Sequence, residues 1–128
     1  MDTIGDFIIR LKNAGAVGHE KVSLPHSKLK EAIANKLAAT GYLSAVETKG
    51  KDAKKTLEVT LRYEAGKHAI NDVQRVSKPG RRLYAKVDEI YPVKFGKGHL
   101  ILSTPRGILT DSEARESKVG GEQLFKIW

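Results

Sequence analysis

Cysteine is absent from the 128-residue chain. That excludes a disulfide framework, a cysteine nucleophile and any thiolate metal site, and it sets the expectation of a reducing, cytoplasmic setting. No apolar run approaches the ~18 residues that a membrane span needs, so no membrane partner is expected. The opening Met1-Asp2-Thr3 is acidic and carries no apolar segment of the kind that marks secretion. His19, His26, His68 and His99 are scattered, with no i, i+4 pair and no metal-type spacing, so neither a metal nor a cofactor is expected. Gly96-Lys97-Gly98 begins like a phosphate loop but lacks a third glycine and leads into a strand rather than a helix, so it reads as a turn. No nucleophile-elbow pattern surrounds any serine. Without a clustered carboxylate or histidine site, an enzyme is not expected.

What the chain has instead is positive charge. Lys and Arg number 23 against 15 Asp and Glu, a formal net charge of +8. Residues 1–64 carry 11 basic and 8 acidic side chains and residues 65–128 carry 12 and 7, so the surplus belongs to folded surface rather than to a tail. Such a surplus favours polyanions, chiefly nucleic acid or an anionic membrane face. Hydrophobic residues make up 40%, enough for a core. The length fits one compact unit or two small ones sharing a core.

Periodicity gives the elements. Ile4, Phe7, Ile8 and Leu11 form one helical stripe, capped by Asp2 or Thr3 and ended by Asn13-Ala14-Gly15. A strand over 21–24 stops at Pro25. Ser27 caps a second helix with Leu29, Ile33 and Leu37 buried, and Gly41 closes it. A hairpin follows, with arms 42–48 and 56–62 and a charged tip at 49–55. Ala65-Gly66-Lys67-His68 reads as a linker. Beyond it, 73–77, 81–87 and 98–103 are candidate strands. Thr110 and Glu113 form a capping box for a short helix to about Ser117, and Gly120-Gly121 turns the chain into a last strand over 122–127. The expected fold is α+β: two small, tightly packed domains, an N-terminal α/β domain at 1–66 and a C-terminal, mainly antiparallel β domain with one short helix at 67–128. Each piece alone would bury too little surface to be robust, which is the reason to expect tight packing.

Two stretches carry chemistry. In Arg75-Val76-Ser77-Lys78-Pro79-Gly80-Arg81-Arg82-Leu83-Tyr84, cations stand around a Pro-Gly turn with an aromatic just after it. Lys78, Arg81 and Arg82 can neutralise phosphates and Tyr84 can stack on an unpaired base; equally, the run can be a solvated strand–turn–strand with Tyr84 in the core. The second stretch, from Leu102 to Thr110, joins a strand to the capped helix through Ser103, Thr104, Pro105, Arg106 and Gly107. Small hydroxyls and free amides at close range suit RNA bases and 2′-hydroxyls. An ordinary connector, with its hydroxyls bonding its own backbone, would look the same.

Together these blocks resemble the small-subunit ribosomal protein S-eight family over essentially the whole chain. The match is carried by DFIIRLKNA at 6–14, PHSKLKEAI at 25–33, Gly41-Tyr42-Leu43, RVSKPGRRLY at 75–84, ILSTPRG at 101–107 and the segment from Leu109 to Trp128. The resemblance implies a two-domain structural protein of the ribosome, cytoplasmic and without catalytic activity. It further implies binding to a stem in the central domain of small-subunit ribosomal RNA, contacts with neighbouring small-subunit proteins, and a role early in subunit assembly. In bacterial relatives it extends to repression of their own operon through a similar stem in the messenger RNA. The family's RNA-reading loop falls on Ser103, Thr104, Pro105, Arg106 and Gly107, and its Gly-Gly-Glu turn on Gly120, Gly121 and Glu122. Asn13, Lys28 and Lys30 complete the expected RNA-contacting set. Many bacterial relatives carry a second serine where this chain has Pro105, so any hydroxyl contact from that position is lost. The alternative from another class is a basic adaptor that binds only protein partners, with little affinity for RNA stems and a weak salt dependence.

Overall fold

A computed structural model describes residues 3–51, 54–93 and 97–128. Asp2 as a helix cap, the centre of the charged tip and Gly96 lie outside the described residues. The chain forms two compact units, one of residues 6–71 and one of residues 72–128 with residues 1–5. The fold is α+β: the described residues form three α-helices with antiparallel sheets.

Helix α1 (Thr3–Ala16), which belongs to the first unit from Asp6 on, buries Phe7, Ile8 and Leu11 as its spacing requires. It does not end at Gly15 but runs one residue further. A β-carbon on Gly15 would stand 1.7 Å from the His68 ring, so this glycine makes room for an imidazole rather than breaking the helix. Strand β1 (Lys21–Pro25) is an edge strand of a three-stranded antiparallel sheet, β1-β3-β2, with β2 (Leu43–Lys49) and β3 (Thr56–Leu61). Pro25 sits at its last residue, where a missing amide costs the ladder nothing. Val22 faces Val59 and Leu24 faces Leu57, and all four are buried.

Helix α2 (Lys28–Thr40) packs on β2 and β3. Ser27 caps it by accepting from the Lys30 amide, and Gly41 closes it in the left-handed conformation. The buried stripe is Lys30, Ile33, Ala34 and Leu37. Leu29 is 39% exposed, contrary to the expectation that it would join Ile33 and Leu37. The i, i+3, i+4, i+7 face starts one residue later, where the methylenes of a lysine serve as the apolar surface. The stretch read as a linker is instead a tight hairpin of β4 (Tyr63–Glu64) and β5 (Lys67–His68). Ala65 and Gly66, at φ 50 and 80, make the type I′ turn that matches strand twist.

In the second unit, β10 (Gly121–Ile127) is central. It pairs with β6 (Val73–Arg75) and β7 (Tyr84–Ala85) on one side and β8 (His99–Thr104) on the other, and β8 pairs with β9 (Gly107–Thr110). The candidate strands at 73–77 and 81–87 are shorter than expected. Buried Ser77 interrupts them, its hydroxyl donating to the Leu83 carbonyl and accepting from the Leu83 amide. Lys78 and Arg81 exchange backbone hydrogen bonds across the Pro79-Gly80 turn.

Helix α3 (Asp111–Ser117) starts at the expected capping box, with the Thr110 hydroxyl accepting from the Glu113 amide and the Glu113 carboxylate accepting from that of Thr110. Buried Asp111 accepts from the Leu100 amide and lies 3.2 Å from the Arg115 guanidinium, so one carboxylate ties α3 to β8. Ala85, Ile90, Val93, Leu100, Leu102 and Ala114 form this unit's core. Leu124 has no partner on β8: Gln123 faces Leu102 and Phe125 faces Ile101, which makes a β-bulge.

Candidate nucleic-acid interface

The β8–β9 hairpin carries an exposed tip on a buried stem. Thr104 pairs with Gly107, leaving Pro105 and Arg106 as a two-residue tip, both exposed. Proline's fixed φ suits the first corner of a type I turn, and Gly107 follows at φ 105, a conformation that side chains other than glycine rarely adopt. The Thr104 hydroxyl donates to the Gly107 carbonyl and accepts from the Arg106 amide. It is thus occupied in holding the turn, as a connector would require. The neighbouring Ser103 hydroxyl makes no hydrogen bond among the described residues.

Behind the tip, the sheet lines up a row of side chains. Tyr84 of β7 faces Glu122 of β10, and Glu122 faces Ser103 of β8. Directly opposed residues in an antiparallel pair share a face. Tyr84 is 67% exposed, so the placement of its ring in the core is excluded. Arg75, the first cation of the Pro-Gly stretch but not among the expected RNA-contacting residues, adds a charge to this row. Burial pushes its guanidinium below the ordinary pKa, and the nearby Glu122 charge pulls the other way. Nothing local marks this proximity, because β6 and β10 are distant in sequence.

Gly120 and Gly121 let the start of β10 lie close against its neighbours. A β-carbon on Gly121 would meet the Ser103 carbonyl oxygen, and one on Gly120 would meet that of Ala85. The start of β10 is therefore clasped between two backbones. Lys78, Arg81 and Arg82 are exposed around the Pro-Gly turn of the same unit. Asn13, Lys28 and Lys30 belong to the other unit. Asn13 and Lys28 are exposed, whereas Lys30 is only 9% exposed and spends its stem on packing. Among the described residues no group of His, Cys, Asp or Glu could hold a metal ion, and no helix is long and apolar enough to cross a membrane.

This fold and this surface define a class: an α+β protein with a basic, hydroxyl-bearing hairpin on an antiparallel sheet. Residues 2–128 match the family described as ribosomal protein S8. Curated relatives called small ribosomal subunit protein uS8 agree in length as well. That of Bdellovibrio bacteriovorus is 46% identical over 130 residues, covering 100% of both chains. That of Acinetobacter baylyi is 49% identical over 123 residues, covering 96% of this chain and 94% of its own. That of Mycoplasmopsis synoviae is 46% identical, covering 99% of this chain and 97% of its own. The chain belongs to the ribosomal protein S8 family.

Proposed function

We propose that this chain binds a stem in the central domain of small-subunit ribosomal RNA through the row Tyr84–Glu122–Ser103 and the tip Thr104–Gly107. As a member of its family it is a non-enzymatic structural constituent of the small ribosomal subunit, and so resides on cytoplasmic ribosomes. The observation that carries the finer reading is the Ser103 hydroxyl, which makes no hydrogen bond among the described residues and stands beside an exposed turn, in one row with the exposed Tyr84. A hydroxyl both donates and accepts, so it can serve a base edge or a 2′-hydroxyl. Thr104 supports it indirectly by fixing the turn. Lys78, Arg81, Arg82 and Arg106 neutralise phosphates, which carry affinity without sequence information. Glu122 is repelled by phosphate, so its place in the row makes sense as an acceptor for a base amino group. Asn13 and Lys28 supply further contacts.

Binding at this surface nucleates the central domain early in assembly, and the same surface accepts a matching stem in the operon's messenger RNA. The test is titration of the purified chain with a central-domain stem against an unrelated stem of equal length. A preference for the cognate stem, lowered by Ser103→Ala, is expected. Equal affinity for the two stems would mean that the reading is wrong and that a protein-only adaptor fits better.

A further inference from the structure

Ser103 and Glu122 occupy one face of the second sheet, and the opposite face carries a different surface. Gln123 faces Leu102, Lys126 faces Leu100, and Gln74 of β6 faces Lys126. Successive residues of a strand point to opposite faces, so Gln123 turns away from Glu122. The bulge at Leu124 then returns Lys126 to the side of Gln123. Gln74, Gln123 and Lys126 thus form a polar floor behind the Tyr84–Glu122–Ser103 row.

That floor is shared by two adjoining hollows. One, of about 520 Å³, is rimmed by Arg75, Lys78 and Arg81. The other, of about 340 Å³, is walled by Tyr91, Pro92 and Trp128. Both volumes lie in the range of roughly 300–1,000 Å³ typical of ligand pockets. The described residues of the basic hollow include no carboxylate. In the aromatic hollow Glu89 is present, but its carboxylate accepts from the Lys86 amide. Tyr91 is 72% exposed.

We propose that this groove binds a single strand of RNA, as a second contact that borders the stem surface at Arg75, Lys78 and Arg81 and has its own floor and aromatic wall; the proposal rests on the reading of the chain as an RNA binder. Cations that track phosphates beside an aromatic face that stacks any base are the two parts of a single-strand site. The glutamine amides offer a donor and an acceptor to base edges. The exposed Tyr91 ring at the wall of the hollow offers its face to an unstacked base, which a stem does not present. An acidic peptide would use the cations and leave Tyr91 and both glutamines idle.

The experiment uses the full chain with three probes: a central-domain stem, a uridine octanucleotide and an oligoglutamate of similar charge. The stem is expected to weaken octanucleotide binding only in part, since the two share Lys78 and Arg81 while Ser103 and Gln123 lie on opposite faces of the sheet; full mutual exclusion would overturn a separate groove. Tyr91→Ala should weaken octanucleotide binding by roughly tenfold, the middle of the range for one base–aromatic stack. Lys126→Gln should weaken it and make the slope of log K against log salt shallower by about one unit. Both variants should keep the denaturation midpoint and the stem affinity of the parent. Octanucleotide binding indifferent to both changes would overturn the proposal, as would oligoglutamate displacing the octanucleotide with equal affinity for parent and Tyr91→Ala. A chain that shows no stem preference yet binds the octanucleotide through Tyr91 would sink the stem reading and leave the groove standing.

Discussion

The Ser103 carbonyl oxygen stands 2.2 Å from the point where a β-carbon on Gly121 would lie. No side chain separates β10 from β8 here, so the hairpin's position is set by backbone against backbone. Gly121→Ala must push the strands apart, because a carbonyl held in a ladder cannot rotate away. A loss of about 1–3 kcal/mol in stability is expected, as for other overpacked sites, together with weaker stem binding. Urea denaturation and RNA titration of the same variant measure the two effects, and an unchanged midpoint would show that the strands can yield.

Ser103 and Thr104 should separate cleanly. The Thr104 hydroxyl bonds Gly107 and Arg106, so Thr104→Ala should cost about 0.5–1.5 kcal/mol of stability and loosen the tip. Ser103→Ala should leave the midpoint in place and weaken the cognate stem by up to about tenfold, one neutral hydrogen bond's worth. Neither change should alter the salt slope. The reverse pattern, with Ser103 acting on stability and Thr104 only on RNA, would place the reading hydroxyl wrongly.

Replacing Arg81 and Arg82 together with Ala should weaken every RNA alike. The slope of log K against log salt should become shallower by about 1–2 units if both side chains meet phosphate. An unchanged slope would remove them from the interface.

Asp111 offers a test of the fold rather than the surface. It is buried, accepts from the Leu100 amide and pairs with Arg115. Asp111→Ala leaves the buried Leu100 amide unpaired, while Arg115 keeps solvent and the Ile90 carbonyl, and should cost about 1–3 kcal/mol. Thermal or urea unfolding of the variant reads this directly, and a loss below about 1 kcal/mol would contradict the pairing.

Acid should weaken the fold in two stages. Burial lowers the His68 imidazole below its ordinary 6.5, so the unfolded chain takes the proton first and stability falls as the pH drops below that value. Hydrogen bonds from His26 and Thr48 lower the Glu31 carboxyl below 4.5, and one from Lys49 does the same for Glu58. Their contributions are complete above 4.5 and disappear as the pH falls through the folded values. Urea midpoints measured against pH should show His68→Phe flattening the upper stage only and Glu31→Gln reducing the lower stage only.

Local chemistry was the legible part of this chain. The Ser27 cap, the closing Gly41 and the Thr110–Glu113 box need only neighbours in sequence, and each stands as read. The alternation of Leu57, Val59 and Leu61 likewise requires one buried face and nothing more. Errors arose where a distant residue decides. Gly15 resembles a helix stop until His68 is found against it. Ala65-Gly66 has the composition of a linker and the dihedral angles of a hairpin turn. The site was legible as a set of candidates, but the row Tyr84–Glu122–Ser103 depends on the register of three strands. That register is invisible in any single segment, and so is the use of the Thr104 hydroxyl within its own turn.

The unpaired Leu124 acts as a parity switch within β10. Upstream of it, even-numbered positions share the side of Ser103; downstream, odd-numbered ones do. Gln123 and Phe125 already face consecutive residues of β8, so removing Leu124 would leave every later residue opposite its own partner and on its own side. A residue inserted after Phe125 would instead turn Lys126 onto the side that buries Phe125 and carry Ile127 off it. The strand can therefore lose a residue at this one place, but cannot gain one beyond it.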